Sequence, residues 1–162
     1  MRSIRNIALA LTLTLAAPMT VHAQVNENLA EFAPDIEAAR TIMQTERKIL
    51  IMREMSLTSD EAAAFWPLYD EYVVARRELG DLRLKVITDY AASYETMTNE
   101  LARSLANDSM DYETKVLKLK KKYLKKFRKV LPDIKVVRYF QLESKLDAII
   151  EFDLASQIPL ME

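Results

Sequence analysis

Residues 112–131 read YETKVLKLKKKYLKKFRKVL. On a helix, Tyr112, Val116, Leu119, Tyr123, Phe127 and Val130 recur every three to four positions and make one apolar stripe. Leu117, Leu124 and Leu131 repeat every seven residues along its flank. The combined face is wider than about 100°, more than a single neighbouring helix covers. Lys118, Lys121, Lys125 and Arg128 fall on the opposite side, with Lys122 and Lys129 at its edge. Nine lysines and two arginines lie between Lys115 and Arg138, against only Asp133. Charge of one sign repels itself along a helix, and a purely structural surface more often mixes signs. The run is therefore read as a positive surface for an anionic partner, with a solvated face of a core helix as the plainer alternative.

The rest of the chain supports helices. Gly80 is the only glycine among 162 residues. Tight turns, β-hairpins and phosphate-cradling loops all need more glycine than that. No segment alternates with period two over a useful length, so the expected class is all-α, with four main helices plus one short helix and no sheet. The first main helix starts at Pro34-Asp35, since proline suits the first turn and Asp the positive dipole end. Ile36, Ala39, Met43 and Leu50 share its face. Thr58-Ser59-Asp60-Glu61 is a capping box. The helix it opens runs toward Met97 and would be about 55 Å long. Phe65, Tyr69, Tyr72 and Arg76 share one face of it, and Pro67 removes one ladder bond from its interior. A short helix starts near Met97, a loop is expected at Asn107-Asp108-Ser109, and the basic helix spans Met110 to Val130. The last helix, Ile134 to Leu154, carries Tyr139, Leu142, Leu146 and Ile149 as its stripe.

The first 23 residues have the three parts of a secretory signal: Arg2 and Arg5, the uncharged run Ile7 to Ala17, and Val21-His22-Ala23 before Gln24. The apolar run is too short to anchor in a bilayer. The expected organisation is a signal peptide at 1–23, a polar leader at 24–33, a single helical domain at 34–155 and an extended tail at 156–162. Cleavage removes the only histidine and, with Arg2 and Arg5, lowers the basic count from 23 to 21 against 24 acidic residues. The exported chain then holds no His and no Cys, which excludes zinc and copper sites of the usual kind and any Ser/His or Cys/His nucleophile. Neither enzymatic activity nor a cofactor is expected.

Two helix starts resemble each other. Leu57-Thr58-Ser59-Asp60-Glu61 is followed by Phe65, and Leu131-Pro132-Asp133-Ile134-Lys135 by Tyr139. In each, a Leu outside the helix can pack back on the first turns, and an aromatic follows two turns in. These boxes, the signal sequence and the helical composition bear a distant resemblance to the Spy/CpxP family of small periplasmic helical proteins, which carry two L-T-x-x-Q motifs. Here Glu61 and Lys135 stand in place of the glutamines, and Pro132 in place of the second threonine. The resemblance implies an elongated bent helical hairpin, paired as an antiparallel, cradle-shaped homodimer, and a role in envelope stress, either holding unfolded proteins or damping a sensor kinase. It also implies that the two boxes meet, so that Glu61 and Lys135 would form a salt bridge at a hinge built from Leu57, Thr58, Glu61, Leu131, Pro132 and Lys135.

The expected partner-binding residues are Lys118, Lys121, Lys122, Lys125, Arg128, Lys129 and Trp66. Trp66 points about 100° away from Phe65, toward a second interface or a client. The expected function is a periplasmic, ATP-independent chaperone-like or stress-adaptor protein. Its partners would be unfolded or acidic proteins, a sensor-kinase domain, or a second copy. A structural scaffold with one fixed partner, or a peripheral binder of anionic membrane surface, are the competing readings. Nucleic acid is not an expected partner after export.

Overall fold

The computed structural model describes residues 21–161, with side chains from residue 36 onward. The chain is all-α. Four helices follow in order: α1 (Val21–Met55), α2 (Ser59–Ser93), α3 (Asn99–Phe127) and α4 (Asp133–Ala155), with a 3-10 turn at Tyr94–Thr96 between α2 and α3. No strand occurs among the described residues. Most of the proposed signal peptide lies outside them.

Two expectations about helix limits are corrected. The polar leader at 24–33 is helical, and Pro34 sits inside α1 rather than opening it. Its alanines, leucine and glutamates are good helix formers, and the proline removes one ladder bond without ending the helix. Asn107-Asp108-Ser109 is not a loop, because α3 runs through it unbroken. Leu105, Tyr112 and Val116 are buried on either side at helical spacing, while Asn107 and Asp108 are exposed. Polar residues on the wet face of a helix mimic a loop when the sequence is read alone.

Contacts divide the chain into two compact units. The larger, Ile51–Glu143, holds the aromatic core. Phe65, Tyr69 and Tyr72 of α2 meet Tyr123 and Phe127 of α3 and Val136 and Tyr139 of α4, with Ile51 and Met55 from the end of α1. The ring centroids of Phe127 lie 5.1 Å from Phe65 and 4.9 Å from Tyr139, and those of Tyr72 and Tyr123 lie 5.2 Å apart. Tilted and edge-on arrangements of this kind add to the burial of each ring. Pairings such as Phe65 with Phe127 and Arg76 with Tyr112 show that α2 and α3 run antiparallel. One member of this core is polar. Glu143 is buried and accepts a hydrogen bond from the Tyr72 hydroxyl at 3.0 Å.

The second unit contains the described residues up to Leu50 together with Ser144–Glu162. Arg47 and Asp147 tie its two segments by a half-buried ion pair at 3.0 Å. Ile149, expected in the apolar stripe of α4, is instead 57% exposed. A helical stripe marks which residues can be inward, not how far the neighbouring helix extends to cover them.

Phe127 is the side chain on which three helices converge. Phe127→Ala should lower the unfolding free energy by about 3–5 kcal/mol, the usual cost of truncating a fully buried aromatic. Urea denaturation followed by circular dichroism checks this, and a loss under about 1 kcal/mol would contradict the packing described.

Candidate partner-binding site

The basic half of α3 is oriented by its own apolar residues. Tyr112, Val116, Tyr123 and Phe127 are buried, which turns Lys118, Lys121 and Lys125 to the solvent. Lys129 is exposed in the turn that follows. These four lysines make no ion pair among the described residues. Like charges three and four residues apart repel, so the helix carries this row at some cost. Leu117, 52% exposed, lies beside it.

The remaining cations of the run are engaged. The Lys126 ammonium lies 2.5 Å from a Glu71 carboxylate oxygen on α2 and 4.8 Å from the Tyr123 ring centroid. The hydrogen bond from Lys126 holds the Glu71 carboxyl below its ordinary value, and the same bond raises the Lys126 ammonium. Burial pushes the Tyr123 phenol up. Lys122 sits 5.6 Å from the centre of the Tyr123 ring. Arg128 was expected in the open row, but it pairs with Asp133 at 2.9 Å. It caps α3 rather than lying on its face, and the turn brings it to the first residue of α4. Trp66 is half-buried against the core, edge-on to Phe65 at 5.1 Å and to Tyr69 at 5.4 Å.

The two helix-start boxes lie side by side. Thr58 caps α2: its backbone N–H donates to Glu61 at 2.8 Å and its hydroxyl accepts from the Glu61 N–H at 3.3 Å. Pro132 precedes α4, and its carbonyl accepts from Lys135 and Val136. Lys135 Nζ donates to Glu61 Oε2 at 2.5 Å and to the Ser56 carbonyl at 3.0 Å. Arg138 Nε donates to the Glu54 carbonyl at 2.5 Å. Ser56 has φ of 47°, the left-handed turn that closes α1. Two cations from the first turns of α4 thus satisfy carbonyls at the end of α1, where helical partners run out. Leu57 packs half-buried on the core and Leu131 is buried. The sequence reading found the Glu61–Lys135 pair but missed Arg138 and the carbonyls. Their signal is only an arginine one turn beyond Lys135.

The arrangement offers charge, hydrogen-bond donors and a little apolar surface. Comparison with family models, with curated proteins and with solved structures finds no match, so function is argued from this geometry.

The hydrogen bond from Lys135, then that from the Thr58 backbone, lowers the Glu61 carboxyl below its ordinary 4.5. A carboxylate lowered on folding contributes stability above its unfolded value and loses it as pH falls through the folded value. The stability difference between wild type and Glu61→Gln should therefore be full above about pH 5 and shrink as pH falls below 4.5. A double-mutant cycle of Glu61→Ala with Lys135→Ala at neutral pH should show a coupling distinguishable from zero. Additive single effects would remove the pair as a stabilising link.

Proposed function

We propose that this chain is an exported, periplasmic binding protein of the Spy/CpxP kind, chaperone-like or a stress adaptor, that acts without ATP and without a chemical step. The single observation behind this reading is the row Lys118, Lys121, Lys125 and Lys129, exposed and without carboxylate partners among the described residues. Charge of this kind draws in acidic segments of unfolded proteins from a distance. Leu117 beside it offers apolar contact once they arrive.

The apolar side of α3 is spent on the core. The helix therefore has no greasy face with which to enter a bilayer, and its cations can only touch a surface. No described helix is long and apolar enough to cross a membrane.

Aggregation of several unrelated acidic proteins, followed by light scattering without ATP, tests the reading. The wild type should suppress it at near-stoichiometric ratios. A Lys118→Glu, Lys121→Glu, Lys125→Glu variant should need about five to ten times more protein for the same effect, and about 0.5 M salt should weaken the wild type similarly. Equal protection by the variant would overturn the assignment of these lysines. Protection of no substrate would leave a scaffold, and sedimentation with anionic vesicles alone a membrane-surface binder.

A further inference from the structure

α2 is densely packed at one end only. Phe65, Tyr69 and Tyr72 are buried, and then no residue of this helix is buried until Ser93. On α3, Leu105 alone is buried before Tyr112. Leu84, Val86, Ile87, Tyr90 and Leu101 are all half-buried. Residues 81–111 therefore form an arm beyond the aromatic core, to which they contribute no side chain. Two paired helices leave one side of each uncovered, so few apolar contacts hold such an arm closed.

Weak helix formers gather where the arm meets the core. Gly80, the only glycine of the chain, sits in the interior of α2. Geometry does not require it there: a Cβ would meet nothing within 4 Å, and its φ is not positive. Alanine would fit and would favour the helix more. On α3 the poor formers Asn107, Asp108 and Ser109 follow one another. The two stretches lie alongside each other, for the Arg83 guanidinium is 5.6 Å from the centre of the Tyr112 ring and Lys85 lies in the field of Asp108. Arg76, one turn before Gly80, donates to the Tyr112 hydroxyl at 3.1 Å. Tyr112 is thus held by one arginine from each side of the glycine.

We propose that the arm opens and closes about Gly80 and residues 107–109 as a unit separate from the aromatic core, with the contact of Arg83 on Tyr112 as its latch. Opening uncovers Leu84, Ile87, Tyr90 and Leu101, apolar surface of a kind that the basic row has beside it only at Leu117. The use of that surface to hold partners rests on the proposed function, whereas the opening does not. A surface available in only a fraction of molecules binds more weakly in proportion to that fraction. The hinge therefore sets how firmly a captured chain is held.

Hydrogen exchange read by mass spectrometry tests this on the whole chain, with circular dichroism confirming the fold of each variant. Amides of residues 81–111 should exchange at least about tenfold faster than those of 115–127. Gly80→Ala should slow the arm about fivefold, and Arg83→Gln should speed it about threefold. Val136→Ala truncates a buried residue of the core and should speed 115–127 while leaving the arm unchanged. An arm that exchanges at the rate of the core, or that follows Val136→Ala, would overturn the separate opening. No effect of Gly80→Ala would remove the pivot, and none of Arg83→Gln the latch. In the aggregation assay Gly80→Ala should need up to about five times more protein than the wild type. Equal suppression, with the exchange pattern intact, would leave the hinge and end its part in holding partners. A wild type that protects no substrate would sink the proposed function and not the hinge.

Discussion

Packing around Phe127 decides what every other part of the larger unit can do. This ring lies within 5.1 Å of Phe65 and 4.9 Å of Tyr139, between centroids, and so ties three helices at one point. Aromatic rings bury much area with few rotatable bonds, which gives a small core more stability than aliphatic residues would at the same count. Phe127 and Tyr123 also fix the rotation of α3. Once they and Val116 point inward, Lys118, Lys121 and Lys125 are turned to the solvent side. The open basic row is thus a consequence of the core and not an independent feature.

The second ordering principle is register. The ion pair between Glu61 and Lys135 joins positions 74 apart, and the same separation relates Phe65 to Tyr139, whose rings lie 5.5 Å apart. It also relates Leu57 to Leu131. The resemblance between the two helix starts is therefore expressed in space, with α2 and α4 side by side and equivalent residues opposite each other. A carboxylate and an ammonium at these two positions suit this geometry, because the pair also serves neighbouring backbone groups. Glu61 completes the cap of α2, and Lys135 reaches the Ser56 carbonyl. Groups that carry hydrogen bonds as well as charge hold their positions better than a bare surface pair.

The same chain handles its cations in two ways. Lys126, Lys135, Arg128 and Arg138 each meet a carboxylate, and all lie where helices approach or chain turns occur. Lys118, Lys121, Lys125 and Lys129 are exposed and meet no carboxylate among the described residues. The first set lowers the energy of the fold, while the second raises it through mutual repulsion.

Much of this was legible from residue order. A single glycine and the lack of period-two alternation determined an all-α chain. The spacing of Phe65, Tyr69, Tyr72, Tyr112, Val116, Tyr123 and Phe127 determined which faces are buried, because side-chain direction on a helix follows from position alone. The capping box at Thr58 was equally local. Tertiary structure decided the rest. Whether Asn107 to Ser109 ends a helix depends on the buried residues flanking it, and the helix passes through. Arg128 looked like one more open cation until the chain turned and brought Asp133 to it. Glu143 is of a residue type usually exposed, yet it is buried, with the Tyr72 hydroxyl 71 residues away donating to it. Local sequence specifies direction and propensity. Neutralisation and burial depend on what the folded chain brings near, and such long-range neighbours are not encoded at any single position.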